Sequence, residues 1–317
     1  MINYTQFESK VLTNKLIDQA LIYKNNPKAD SLLAADLKIG LIFLNPSLRT
    51  RLSTQIAVSN LGAEAIVLNV GKESWALEFQ EGAVMNGSTV EHVKDAVGVM
   101  STYFDIIAIR TFAGLVDKKE DQDEKVLNQF IKHSKVPIVS LESATRHPLQ
   151  SLADQITIHE HQLTKQPKIV LTWAPHIKPL PQAVANSFAE WTLGTHHKLT
   201  IAHPEGYELD EQFTKGATIT NNQSEAIKNA DFIYVKNWSS FKTYGKMLSH
   251  DTSWLLDENK LKEAPNAKIM HCLPVRRNVV LSDELLDGHR SLVMQQAENR
   301  IYAAQAVLKH LIEINKL

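Results

Sequence analysis

Residues 39–51 read Ile39-Gly40-Leu41-Ile42-Phe43-Leu44-Asn45-Pro46-Ser47-Leu48-Arg49-Thr50-Arg51. The first six form a continuous apolar run with no alternation, the pattern of a strand buried on both faces of a parallel sheet. Downstream, Leu48, Leu52, Ile56 and Leu61 keep a roughly helical spacing, and Gly62 offers a stop. The stretch thus predicts a strand, a tight turn and a helix N-terminus carrying two hydroxyls and two guanidinium groups. Free N–H groups and the positive end of the helix dipole favour an anion there. Arg49 adds a forked donor matched to a phosphate, and Ser47 and Thr50 add hydroxyls. Ser47 taken alone also suits an ordinary helix cap. The cluster as a whole reads as a phosphate site.

Working outward, the pattern repeats. An amphipathic helix is expected over 5–24, stopped by Asn25-Asn26-Pro27. Further strands are expected at 65–69, 105–110 and 136–140, with helical stretches between them such as 90–103. Gln166-Pro167-Lys168 looks like the start of a second sheet, with strands at 168–173, 198–203, 231–236 and 268–270 and a long final helix over about 298–314. Strands alternating with helices imply an α/β protein built on doubly wound parallel sheets. In such sheets ligands collect at the C-terminal ends of the strands. Arg110 stands at that end of its strand, Ser47 to Thr50 follow theirs, and His147 follows a fourth, with Pro148 suited to a first helical position. Taken singly, Arg110 also suits a surface ion pair and His147 a cap or core histidine. Together they predict anion and carbonyl contacts brought to one sheet edge.

Composition narrows the class. A chain of 317 residues suggests about two domains, and 44% hydrophobic with 22% charged residues is ordinary for a globular protein with a sizeable core. A formal net charge of −1 gives no reason to expect nucleic acid or an anionic membrane as partner. The single cysteine, Cys272, excludes an internal disulfide. No apolar run approaches the ~20 residues of a spanning helix. Met1 to Lys10 has no signal-peptide core, so a cytoplasmic location is expected. Gly82 to Thr89 has the glycine spacing of a P-loop without its lysine or leading strand, and no Gly-x-Gly-x-x-Gly occurs. His159-Glu160-His161 and His196-His197 lack partners at a recognised metal spacing, so neither a metal nor another cofactor is expected. Cys272 sits among apolar neighbours, which fits a contact role better than a covalent one.

Three motifs carry a family resemblance. Ser47-Leu48-Arg49-Thr50-Arg51 resembles the carbamoyl-phosphate loop of the transcarbamylases. His147-Pro148-Leu149-Gln150 is similar to their His-Pro-x-Gln motif, and His271-Cys272-Leu273-Pro274 to the His-Cys-Leu-Pro motif of the ornithine-using branch. They occur in the family order and span most of the chain. The resemblance implies two domains, 1–147 binding carbamoyl phosphate and 148–295 binding the amine acceptor, with 296–317 returning as a helix onto the first. It implies that Ser47, Leu48, Arg49, Thr50 and Arg110 hold the phosphate, while Arg49, His147 and Arg300 donate to the carbonyl oxygen. Gln150 and the backbone carbonyls of Cys272 and Leu273 orient the carbamoyl nitrogen. It implies also a homotrimer with shared active sites, Trp75 reaching a neighbour's site. A Trp tucked under its own domain is the alternative.

No Ser-Met-Gly loop is present; Val235-Lys236-Asn237-Trp238 stands in its place. Nor does the loop equivalent to Gly87–Glu91 carry the lysine of the aspartate-using enzymes. Glu142, Trp173-Ala174-Pro175-His176, Pro179-Leu180-Pro181, Asn186, Lys236 and Arg276-Arg277-Asn278 resemble the branch that uses N-acylated ornithine. A knotted path in the second domain is implied by that branch, an exception to unknotted connections. Glu142, His176, Asn186, Lys236, Arg276 and Val90 are the implied acylornithine contacts, Lys236 alone also fitting a snorkelling strand-end lysine. The acetylornithine enzymes of this branch carry a glutamate where Val90 stands and a modified lysine where Val280 stands. A glutamate beside the acyl tail repels a succinyl carboxylate. Val90, which replaces the family's proline, removes that repulsion, so N-succinyl-L-ornithine is the implied acceptor. N-Acetylornithine is the alternative within the class, and a non-catalytic carbamoyl-phosphate-binding regulator the alternative outside it.

Overall fold

The computed structural model describes residues 1–317, which fall into two compact units. One comprises Met1–Gln6, Lys15–Leu149 and Arg300–Leu317; the other comprises Phe7–Asn14 and Gln150–Asn299. The expected divisions at 147/148 and 295/296 thus fall at 149/150 and 299/300, and Phe7–Asn14 goes with the second unit. The Phe7 ring packs edge-on against Trp191 with centroids 5.5 Å apart. It lies where a Cβ on Gly194 would come within 2.4 Å of it, so only glycine admits that ring.

The first unit holds α1 (Lys10–Asn25) from Lys15 onward, then β1 (Lys38–Phe43), α2 (Leu48–Asn60), β2 (Glu64–Asn69), β3 (Leu77–Glu78) and β4 (Glu91–His92). It continues through α3 (Val93–Tyr103), β5 (Ile106–Arg110), α4 (Lys118–Gln122), α5 (Lys125–His133) and β6 (Ile138–Glu142). Its sheet is wholly parallel in the order β2-β1-β5-β6. β1, β5 and β6 are buried almost throughout, as their unbroken apolar runs predict. The strand order reverses between β1 and β5, and that switch point is where a ligand cleft opens in this architecture.

α1 starts five residues later than its periodicity implies. Tyr4 is drawn instead onto the edge of β6, its N–H donating to Ile138 O at 2.9 Å and its carbonyl accepting from Ser140 N–H at 2.9 Å. α3 likewise begins at Val93, because Glu91 and His92 pair with β3 and the His92 imidazole caps the helix through Lys94 N–H. α2 is present as expected, and Gly62 ends it at φ +86°. Its apolar stripe, however, points outward. Leu48, Leu52 and Ile56 are exposed, while Thr50, Ser53, Thr54, Ala57 and Val58 face the interior.

The second unit holds α6 (Pro148–His161), β7 (Lys168–Trp173), α7 (Ala183–Gly194), β8 (Lys198–Ala202), α8 (Glu211–Thr214) and β9 (Thr218–Thr220). α9 (Gln223–Ile227), β10 (Phe232–Lys236), β11 (Lys268–Met270), α10 (Asp283–Asp287) and α11 (Val293–Asn315) complete the chain. Its sheet is also parallel, in the order β11-β10-β7-β8-β9. The short edge strand β9 was not expected; three residues are too few to show a period. The switch point here lies between β7 and β10. α11 starts earlier than expected, and from Arg300 onward it belongs to the first unit, where Gln305 donates to Pro27 O (2.8 Å) and Lys309 pairs with Asp30 (2.7 Å). No helix is long and apolar enough to cross a membrane.

Candidate active site

At the switch point of the first unit, the loop after β1 turns into α2 and the end of β5 delivers Arg110. Ser47 caps α2, its hydroxyl accepting from Thr50 N–H at 3.3 Å, so the ordinary capping role is present within the cluster. Thr50 is buried and accepts twice: from Arg300 Nη2 at 2.6 Å and from Arg110 Nη1 at 3.4 Å. With its lone pairs so engaged, the hydroxyl keeps one proton to give to an anion. Arg110 also forms a buried ion pair with Glu142, which stands at the end of the neighbouring strand β6. Register explains this pair, since Arg110 lies opposite Glu142 across a shift in the β5–β6 ladder.

His147 is 3% exposed and its Nε2 lies 3.6 Å from Glu142 Oε2, beyond hydrogen-bond reach. Burial first, then the charges of Arg300, Arg110 and Arg49, hold its imidazole well below the usual histidine range. The residue is therefore neutral at pH 7 and presents a polar N–H without adding charge. Three guanidinium groups and one carboxylate lie around His147, leaving an excess of positive charge suited to a phosphate dianion. Glu142, expected from sequence among the acceptor contacts, is packed into this cationic group.

The turn leading to His147 has an anchor that sequence reading missed. Glu124, at φ +50° before α5, accepts from the Ser143 hydroxyl at 2.6 Å and from the backbone N–H groups of Thr145 and Ala144 at 2.8 and 3.1 Å, and from the Thr145 hydroxyl. One carboxylate thus gathers the whole 143–145 turn. Nothing in the local sequence signals it, because its partners lie about twenty residues downstream. Glu124→Ala is expected to cost about 2 kcal/mol of stability, the scale of lost bonds to a charged acceptor. The same variant should lower activity about tenfold, since a donor displaced by a fraction of an ångström loses its geometry. Thermal unfolding and a steady-state assay on one sample check both figures.

In the same unit, Trp75 is half exposed and its indole N–H donates to Glu91 Oε2 at 2.6 Å. Val90, next in sequence to Glu91, is 67% exposed. The β3–β4 pair ties these two loops together.

In the second unit, Lys236, His176 and Arg276 lie at the switch point between β7 and β10. Buried Lys236 ends β10 and lies opposite Trp173 at the end of β7. His176 follows β7, and its Nε2 accepts from Arg276 Nε at 3.2 Å. Its proton is then on Nδ1, which faces the Lys178 carbonyl at 2.9 Å. Burial chiefly, with Lys236, Arg276 and Lys178 nearby, keeps this imidazole below its ordinary range, against the opposing pull of the Lys178 carbonyl. Arg277, by contrast, is pinned to Asp283 and Asp287 at 2.7–2.8 Å, which steadies the turn that presents Arg276. Asn186 is buried on α7. Leu273, at φ +54°, follows Cys272 after β11. Gln150 donates to Asp154 within α6, a spacing of four on a helix that sequence alone could have flagged.

Comparison with known proteins shows the family of the chain. The model of the aspartate/ornithine carbamoyltransferase carbamoyl-phosphate-binding domain matches residues 1–160, and that of the Asp/Orn-binding domain matches residues 181–311. The chain is 49% identical over 275 residues to N-succinylornithine carbamoyltransferase of Bacteroides fragilis, covering 86% of each. It is 34% identical to N-acetylornithine carbamoyltransferase of Xanthomonas campestris pv. campestris, covering 97% of this chain and 96% of that one. Among solved structures, a glutamate-to-valine mutant of N-acetyl-L-ornithine transcarbamylase complexed with carbamyl phosphate and N-succinyl-L-norvaline superposes with a TM-score of 0.93. That match is 33% identical and covers 98% of this chain and 100% of the other.

Proposed function

The chain belongs to the aspartate/ornithine carbamoyltransferase family, and from that premise we propose that it transfers the carbamoyl group of carbamoyl phosphate to the δ-amine of N-succinyl-L-ornithine. The products are N-succinyl-L-citrulline and phosphate, in a route to arginine. The observation that carries the reading is the first-unit cluster: a helix N-terminus, a Thr50 hydroxyl framed by two arginines, and a neutral His147.

In this reading the α2 N-terminus, Ser47, Leu48, Arg49, Thr50 and Arg110 grip the phosphate. Arg49, Arg300 and His147 donate to the carbonyl oxygen as the amine attacks carbon and that oxygen gathers charge. His147 polarises without protonating, because its surroundings keep it neutral. As the C–N bond forms and the C–O bond to phosphate breaks, a proton leaves the amine. Glu142, held by Arg110 within 3.6 Å of His147, is the carboxylate proposed to take it. Gln150 and the Cys272 and Leu273 carbonyls receive the carbamoyl N–H groups. Lys236, Arg276, His176 and Asn186 take the carboxylates and acyl group of the acceptor.

The succinyl preference rests on Val90, whose side chain carries no charge to repel a succinate. The 49% identity to N-succinylornithine enzymes supports it, as does the N-succinyl-norvaline complex of an N-acetylornithine enzyme that has lost a glutamate to valine. Product formed from carbamoyl phosphate with ornithine, N-acetylornithine and N-succinylornithine in parallel tests the reading. Product with the succinyl compound alone is expected; product mainly with the acetyl compound would discard the Val90 argument. Val90→Glu is expected to shift the succinyl-to-acetyl ratio of kcat/KM down by on the order of tenfold, about the worth of one partly screened like-charge contact. An unchanged ratio removes the residue from selectivity.

A homotrimer with shared sites completes the proposal. Its support is the outward stripe Leu48, Leu52 and Ile56 on α2 together with half-exposed Trp75, an apolar surface of the kind that marks an association face. Leu52→Glu is expected to give slower-assembling or monomeric protein by sedimentation, with turnover lost in proportion. A wild-type monomer at assay concentration would remove the shared-site role of Trp75.

A further inference from the structure

Within the second unit lies a buried hydrogen-bonded group centred on Asp154, which is fully buried on α6. Its Oδ1 accepts from Gln150 Nε2 at 2.7 Å, one turn earlier on the same helix. The same oxygen accepts from Gln296 Nε2 at 2.7 Å, supplied by α11. Gln296 in turn accepts, through Oε1, the backbone N–H of His271 at 3.0 Å. His271 Nδ1 then accepts from Leu273 N–H at 2.8 Å. Asp154 therefore stands at the head of two branches, one ending on the Gln150 amide and the other on the His271–Leu273 turn.

The chemistry of a carboxylate gives both branches a direction. An ionised carboxylate accepts hydrogen bonds and donates none, so each glutamine must turn its NH2 toward it. A planar amide that gives its NH2 to Asp154 carries its oxygen on the opposite side. Gln150 thereby offers an acceptor to what it meets. Gln296 offers an acceptor to His271, which fixes the turn whose Cys272 and Leu273 carbonyls are also acceptors. A serine or an unanchored amide at position 154 would leave that polarity open, since an amide can flip. Tyr234, fully buried nearby, adds no charge: burial, then Asp154 and Cys272, hold its phenol well above the usual range.

We propose that Asp154 is a positioning residue that makes the site selective for an amide donor: through Gln150 on one side and Gln296 and His271 on the other, it turns acceptors, and only acceptors, toward the NH2 of the carbamoyl group. This rests on the carbamoyl-transfer reading above. It deepens that reading by assigning the discrimination between a carbamoyl NH2 and an isosteric methyl group to a residue that touches neither. A methyl group leaves the same acceptors without donors, which is the costly arrangement in a buried site.

Binding of carbamoyl phosphate, acetyl phosphate and inorganic phosphate to the full-length protein, measured by titration calorimetry, tests the proposal. The wild type is expected to prefer carbamoyl over acetyl phosphate by on the order of tenfold or more. In Asp154→Ala that preference is expected to fall to about twofold, with inorganic phosphate bound as before. Asp154→Asn, whose amide can turn either its NH2 or its oxygen toward the glutamines, should fall between wild type and the alanine variant. Should the alanine variant not fold, Gln296→Met breaks one branch alone and should lose part of the ratio. A purely structural role would weaken all three ligands alike, so an unchanged carbamoyl-to-acetyl ratio in the folded variant overturns the proposal. A wild type that binds inorganic phosphate but prefers neither acyl phosphate over the other overturns it as well. A wild type that binds no phosphate compound overturns the underlying carbamoyl-transfer reading instead.

Discussion

Arg110→Met is expected to lose turnover by at least on the order of a hundredfold and fold stability by about 3–5 kcal/mol, through two separable routes. The stability loss arises because Glu142, 5% exposed, is left as a buried charge without its guanidinium partner. The activity loss arises because the phosphate loses a forked donor, and because Thr50 loses one of the two arginines that direct its hydroxyl proton. A second substitution pulls the two apart. Arg110→Met combined with Glu142→Leu replaces the buried pair by apolar groups and should recover most of the stability, because the desolvation cost of both charges disappears. Turnover should stay lost in the double variant. Urea unfolding and steady-state rates on the two proteins decide it. A single variant as stable as the parent would mean that the pair contributes nothing to folding. Retained turnover in either would sink the phosphate assignment of Arg110.

His147→Gln is expected to slow turnover by roughly a hundred- to a thousandfold, the usual cost of one preorganised donor to a developing oxyanion. The neutral state of His147 adds a pH signature that a simple loss of contact lacks. Because burial and three arginines hold the folded imidazole below its ordinary value, the unfolded chain binds a proton that the folded chain refuses. The resulting stability is fully present above about pH 6.5, the unfolded value, and is lost as pH falls from there toward the depressed folded value. Melting temperatures of wild type and His147→Gln between about pH 7.5 and about pH 5, which bracket the ordinary histidine value, should therefore converge on acidification. The wild type should lose more. Parallel curves would show that the folded imidazole takes up its proton as readily as the unfolded one, which overturns its depressed state.

How much of this was legible in the chain depends on what each signal encodes. Unbroken apolar runs such as Ile39 to Leu44 and Ile106 to Arg110 announce buried parallel strands, because a strand covered on both faces has no polar side to alternate with. Strand ends then place Ser47–Thr50, Arg110 and His147 at one sheet edge, since a parallel sheet delivers all its C-termini to the same side. Spacing on α2 correctly gives a helix but not its inner face. Leu48, Leu52 and Ile56 look outward while Thr50, Ser53 and Thr54 look in, because the helix serves a polar site on one side and leaves its apolar side for another surface.

The sequence by itself therefore determined the strand–turn–helix around Asn45–Arg51, the parallel α/β sheets and most of the residues that bear charge at the candidate site. Only the tertiary structure decided what those charges do to one another. Burial together with Arg300, Arg110 and Arg49 makes His147 neutral, Glu142 turns out to be bound to Arg110, and Glu124 emerges as the carboxylate that gathers the turn before His147. The reason is physical. Period and residue type are local properties of a chain, whereas Coulomb interaction and desolvation depend on distances between residues that the chain keeps up to 250 positions apart, as it does Thr50 and Arg300.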